Sequence, residues 1–188
     1  MTTLYVKNMV CERCVKVVRE ELTATNYTVT HIELGRVVLA ENFTDSDFKV
    51  ARLVLQRNGF ELLDNEEQKL VEMVKKLVIQ HVHGYQEKAG SQNFSEYLSD
   101  ETGVNYFKLS KLFSTTEGVT IEKYIIHQKI EKVKELLLYG EQTLGEIAFE
   151  LDYSSTAHLS GQFKSVVGLT PTEFKRNGPG HRKPLDEV

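Results

Sequence analysis

The sequence predicts an α+β amino-terminal domain of ferredoxin-like βαββαβ order, followed by an all-α domain holding two helix-turn-helix motifs. Three observations lead there. Residues 144–176 read as a helix, a tight turn and a second helix; residues 94–113 repeat that logic more weakly; and the first 64 residues switch repeatedly between strand-like and helix-like spacing of apolar side chains. The expected division is residues 1–64 as a sensor-like domain, 65–90 as connector helix and linker, 91–178 as the double helix-turn-helix domain and 179–188 as a tail.

Residues 3–8 alternate as a half-buried strand does, and Cys14, Val15, Val17, Val18 and Leu22 then line one side of a helix beginning at Glu12. Residues 27–33 and 36–40 are β-rich runs meeting at Leu34-Gly35, which reads as a hairpin. A second helix over 45–57 starts at a Thr44/Asp45 cap, turns Phe48, Ala51, Leu53, Val54 and Leu55 inward, and stops at Asn58-Gly59. Residues 60–63 make the last strand. Both cysteines of the chain lie in one short run, Met9-Val-Cys11-Glu-Arg-Cys14, a spacing that points to metal or redox chemistry.

That run resembles the M-x-C-x-x-C loop of heavy-metal-associated domains, and the resemblance extends through the domain to Asn58-Gly59-Phe60. It implies soft-metal binding by Cys11 and Cys14, with Met9 in the same loop and Phe60 shielding the site. The chain departs from that pattern at Asn8, where Gly is usual, and at Val10. Two thiolates suit Cu(I), whereas a structural zinc takes four ligands. A helix starting just after Cys11 is expected to lower both thiol pKa values, which also serves a dithiol redox switch.

Residues 66–82 form an amphipathic helix with Leu70, Val74, Leu77, Val78 and His81 on one side and Lys69, Glu72, Lys75 and Lys76 elsewhere, a surface for packing on the domains or for homodimerisation. His81 and His83, two apart, point in different directions and read as capping or solvated side chains. Residues 85–93 are polar and read as linker. Phe94, Leu98 and Val104 frame the first helix and turn of the weaker motif, and Tyr106, Leu109, Leu112 and Phe113 give its second helix an inner face. Asn105, Phe107, Lys108 and Lys111 are left outward. Residues 121–139 make one long helix closed by Gly140, about 28 Å at 1.5 Å per residue. B-DNA repeats its major groove about every 34 Å, so a rod of that length suits two reading helices on one DNA face.

In the last motif Ile147, Ala148 and Leu151 form the inner side of the first helix, Asp152 sits at the turn, and Ser154 or Ser155 caps the second helix. Leu159, Phe163, Val166 and Val167 face inward there, leaving Ser155, Thr156, His158, Ser160, Gln162 and Lys164 for DNA. Gly168 ends that helix and Pro171 opens a final one, whose Phe174 returns to the core. Ile147, Ala148, Tyr153, Ser154, Phe163, Lys164, Gly168, Thr170, Pro171 and Phe174 fall where the AraC/XylS family of bacterial regulators has its second helix-turn-helix and following G-x-T-P-x-x-[FY] motif. The run FSEYLSDETGVNYFKLSKLF resembles the same family's first motif, so the resemblance spans residues 94–176. Departures are Asp152, where Gly is frequent, and Gly161, where Arg or another polar residue is common.

With 188 residues, 40 % hydrophobic and 27 % charged, the chain suits one large or two small globular domains. Lys7, Asn8 and Glu12 interrupt the amino terminus, so a signal peptide or membrane span is not expected and the cytoplasm is. No paired carboxylates, nucleophile–base set or Gly-rich phosphate loop points to an enzyme. The net charge of −4 is unusual for a DNA binder, but residues 103–116 carry Lys108 and Lys111 without an acid, and Lys175, Arg176, Arg182 and Lys183 cluster near the end. The resemblances together imply a one-component transcription regulator that binds double-stranded promoter DNA, with RNA polymerase as a further partner and Cu(I) or another soft ion as its signal. Two rival readings are a metal-trafficking protein whose helical half docks a protein and a dithiol redox-responsive regulator.

Overall fold

The computed structural model describes residues 1–84 and 93–177. The predicted linker therefore lies outside the described residues except for Asn93, as does the 179–188 tail. The amino-terminal elements run β1 (Thr2–Lys7), α1 (Glu12–Ala24), β2 (Val29–Glu33), β3 (Arg36–Leu39), α2 (Asp45–Gln56) and β4 (Glu61–Leu62). They build a four-stranded sheet of order β2-β3-β1-β4 in which every pairing is antiparallel. Period-2 alternation puts Leu4 and Val6 of β1 on one face with Val37 and Leu39 of β3, and α1 and α2 bury that face with Val18, Leu22, Ala51 and Leu55. Thr44 caps α2 in a reciprocal box with Asp47, as the Thr44/Asp45 start anticipated. Leu53, expected inward, is 60 % exposed; the face of α2 that meets the sheet is narrower than its run of apolar residues.

The opposite face of the sheet carries Tyr5, and α3 (Glu66–His83) lies against it. The Lys69 ammonium sits 5.0 Å from the Tyr5 ring centroid, and Lys76 pairs with Glu33 of β2 at 2.9 Å. Val71, Val74, Leu77, Val78, Ile79 and Val82 are all buried, so the apolar side considered for dimerisation is covered within the chain itself. Lys75, placed outside by the amphipathic pattern, is buried too.

The helical half continues with α4 (Phe94–Thr102), α5 (Tyr106–Glu117), α6 (Ile121–Tyr139), α7 (Leu144–Glu150), α8 (Thr156–Val167) and α9 (Pro171–Asn177). Among the described residues two compact units emerge: residues 1–77 with 93–118, and residues 78–84 with 119–177. The first helix-turn-helix, α4 and α5, thus belongs with the amino-terminal sheet, and the second, α7 and α8, with α6 and α9. In the second unit Ile130, Val133 and Leu137 of α6 pack with Ile147, Ala148, Leu151, Leu159, Phe163 and Phe174. The long helix runs from Ile121 to Tyr139 and ends before Gly140 as expected, but it also buries Gln128, Glu131 and Lys134, which its apolar pattern did not reveal. Glu131 and Lys134 neutralise each other at 2.6 Å. Among the described residues no helix is long and apolar enough to cross a membrane.

Candidate nucleic-acid interface and thiol loop

The thiol loop starts where β1 ends. Asn8 adopts a left-handed backbone at φ 70, which Asn tolerates better than most residues, and its amide donates to the Gly59 carbonyl at 3.0 Å. This ties the loop to the turn that delivers Phe60. Cys11 occupies the N-cap of α1 in extended conformation, Cys14 lies one turn in, and their sulfurs are 3.5 Å apart as free thiols. That separation is well beyond the roughly 2.05 Å of a disulfide. It brings two soft donors to one point, as a two-coordinate thiophilic ion requires.

Met9 and Phe60 are buried with the core of the domain, at 5 % and 7 % exposure, so they support the loop from inside rather than stand open beside the sulfurs. The expected lowering of both thiol pKa values fails at Cys14: burial is the largest influence there and pushes its thiol up, with the Cys11 thiol adding to the rise. Among the described residues no group of three or more His, Cys, Asp and Glu side chains gathers in metal-binding fashion. His83 instead faces the buried Gln128 through Nε2 at 3.2 Å.

In the first helix-turn-helix, Asn93 caps α4 by accepting from the Ser95 backbone N–H, and Gly103 closes it at φ 67. Asn105 then caps α5, accepting from the Phe107 N–H at 2.9 Å, so its side-chain oxygen is committed to starting the helix. Leu109 and Phe113 are buried, whereas Phe107 is 78 % exposed and Lys108 and Lys111 are exposed beside it. This is the outward face expected from the spacing.

The second motif is held more tightly. Thr143 and Glu146 form a capping box at the start of α7, and Asp152 makes the turn at φ 58. The turn is clamped from α6: the Lys129 ammonium donates to the Leu151 carbonyl at 2.7 Å and lies 5.5 Å from the centroid of the Tyr153 ring. Tyr153 in turn donates its hydroxyl to Gln162 Oε1 at 2.7 Å and meets the His158 ring edge-on at 5.3 Å. Burial pushes the Tyr153 phenol up to about 12, above its ordinary 10. Ser155 caps α8 by accepting from the His158 N–H, and Ser154 Oγ pairs with His158 Nδ1 at 3.0 Å.

Four predicted contact residues of this motif, Ser155, Thr156, His158 and Lys164, are exposed. Gln162 is not outward in the way expected. It is half-buried, bonded to Tyr153, and lines a cavity of about 500 Å³ with Lys123, His127, Glu131, Lys134 and Ser165. Val166, expected inward, is 40 % exposed. The centre of the exposed face is formed by Ala157, Gly161 and Lys164, directly opposite Leu159 and Phe163. Ala157 went unnoticed as surface because it has no polar side chain; its four-residue spacing from Gly161, opposite the buried pair, would have placed it.

Comparison with known proteins agrees with this geometry. Residues 98–177 match the family model described as a helix-turn-helix domain. A putative AraC-like transcription regulator of Streptomyces lividans is 31 % identical over 80 residues, 43 % of this chain and 26 % of that protein. An uncharacterized HTH-type transcriptional regulator of Staphylococcus aureus strain MSSA476 is 30 % identical over 82 residues, 44 % of this chain and 11 % of that protein. The chain therefore spans about a quarter or less of the length of these curated relatives. The C-terminal domain of AraT, a response regulator from Geobacillus stearothermophilus, shares the fold with a TM-score of 0.51 at 21 % identity, covering 63 % of this chain and 95 % of that one. Residues 98–177, from within α4 to the end of α9, match a helix-turn-helix domain and are similar to an AraC-like regulator.

Proposed function

We propose that the chain is a DNA-binding transcription regulator of the AraC type, whose amino-terminal domain is a ferredoxin-like, heavy-metal-associated module responding to a soft metal ion, with Cu(I) favoured. The observation that carries the DNA reading is the coincidence of the family match with two helix-turn-helix units, whose second helices present exposed lysines, Lys108 and Lys111 on α5 and Lys164 on α8. Lys108, Lys111 and Lys164 hold phosphates; Thr156 and His158 meet base edges, with His158 oriented by Ser154 and Tyr153. Asn105 and Ser155 start the two reading helices and present their backbone N–H groups. Phe107 meets apolar groups such as thymine methyls. Gln162 serves through Tyr153, fixing α8 on its turn, more than by reaching a base.

The metal reading rests on the converging Cys11 and Cys14 sulfurs and on the βαββαβ order. Bound there, a monovalent copper ion would place positive charge between two thiolates at the start of α1. Within the chain, Asn8 and Gly59 fix the loop, and Met9 and Phe60 exclude water from beneath it.

The domain division 1–64, 65–90 and 91–178 belongs to this same reading, with double-stranded promoter DNA as the principal partner and RNA polymerase as a further one. The test is selection of genomic fragments by the purified protein, followed by footprinting. Protection of one asymmetric site spanning two adjacent major-groove segments is expected. Absence of any sequence-selective footprint, with or without Cu(I), would remove the reading and move the metal-trafficking alternative ahead.

A further inference from the structure

Lys75 is the feature of α3 that its sequence pattern least explains. Its side chain is 10 % exposed, and its ammonium lies 3.1 Å from Glu72 Oε1 and 3.6 Å from Glu117 Oε2. Glu117 is the last residue of α5, the exposed helix of the first helix-turn-helix. Glu72 is itself largely buried; burial raises its pKa, while the charges of Lys75 and Lys7 act to hold it ionised. Lys7 ends β1 and pairs with Glu61 of β4 at 3.9 Å. The next residue, Asn8, opens the thiol loop. Charges of alternating sign therefore lie in one compact unit from the base of the loop to the end of α5: Lys7 pairs with Glu61 at one end, Lys75 with Glu72 and Glu117 at the other, and between them Lys7 attracts Glu72 at longer range while Tyr5 of the same strand meets Lys69 of α3. The same stretch of α3 grips the far face of the sheet through Lys69 and Lys76. The innermost pair, Lys75 with Glu72, is the one whose loss is costly, because removing one partner leaves a buried charge behind.

We propose that this chain of charges is the link through which the thiol loop acts on DNA binding, so that the signal alters α5 and its half of the promoter site and leaves α8 alone. The inference rests on the reading of Cys11 and Cys14 as a soft-metal site. α3 is then a coupling element rather than a passive connector, and Lys75 is a positioning residue for α5. Coupling between two sites is typically about 5- to 150-fold in affinity, within reach of a few buried charges.

The full chain, kept anaerobic and supplied with Cu(I), tests this by hydrogen exchange of peptides covering residues 106–117 and 156–167, alongside chelator competition for the metal. Cu(I) should change exchange in 106–117 by about fivefold or more and leave 156–167 unchanged. Lys75→Met, and the gentler Glu117→Gln in case the first variant fails to fold, should abolish that change while Cu(I) affinity stays the same. An equal response in both peptides, no response in 106–117, or a response that survives in both variants overturns the link. If Cu(I) does not bind, the metal reading fails separately. The link is then judged on the metal-free variants: faster exchange at 106–117 and at residues 1–11 together supports it, and a change in one without the other overturns it.

Discussion

Gly161 stands at the middle of the exposed face of α8 with nothing within 4 Å of where a Cβ would be, and its backbone is helical. Gly161→Ala should therefore stabilise the carboxy-terminal half by about 1 kcal/mol, read from the denaturant midpoint at unchanged slope. Opposite it, Phe163 is fully buried, with its ring centroid 5.5 Å from that of Phe174. Phe163→Ala should cost about 3–5 kcal/mol, and an equally stable helical variant would mean the wrong face of α8 has been taken as core. At the other end of the chain, replacing Cys11 and Cys14 together by Ser should abolish tight Cu(I) binding in chelator competition while leaving the circular dichroism intact. Persistent tight binding by that variant would place the metal elsewhere.

Element ends carry their own pH response. Glu146 at α7 and Glu173 at α9 each accept from the backbone N–H and hydroxyl of the capping threonine, Thr143 and Thr170, and these bonds hold both carboxyls below the ordinary 4.5. The unfolded chain then takes up protons at higher pH than the folded one. The stability these caps contribute is complete above 4.5 and is lost as pH falls through the lower folded values. Melting temperatures followed from about pH 6 to about pH 3 should fall below that point. Thr143→Ala should lower stability by about 1 kcal/mol at neutral pH and make the acid fall shallower. A fall unchanged in steepness would assign it to other carboxylates. Along α6, Glu131→Gln removes the carboxylate facing the buried Lys134 ammonium at 2.6 Å, and should destabilise by about 3–5 kcal/mol in chemical denaturation.

At the scale of the whole molecule, a chain of net charge −4 must bind DNA through local cations if it binds at all. Each neutralised phosphate contributes about 0.9 to the slope of log affinity against log salt, so on the proposed reading Lys108, Lys111 and Lys164 together should account for about 2.7. Lys111→Ala should weaken binding to all sequences alike and flatten that slope by about one unit; an unaltered slope would show that α5 does not lie on the backbone. The elements themselves were legible from residues alone. Caps at Thr44 and Ser155, stops at Gly59, Gly140 and Gly168, and the period of the apolar side chains depend on neighbours within a turn or two, and all reappear in the fold. The two converging thiols were legible for the same reason. What the sequence left open was which surfaces meet. Lys75 and Gln162 look solvated by pattern and are held by Glu117 and Tyr153, 42 and nine positions away, while Leu53 and Val166 look buried and are exposed. Even the thiol of Cys14 follows this division, because burial, a property of everything packed around it, outweighs the helix end on which it sits. Local propensity and periodicity wrote the elements into the chain; burial and charge pairing depend on residues far apart in sequence, and only the tertiary structure brings those together.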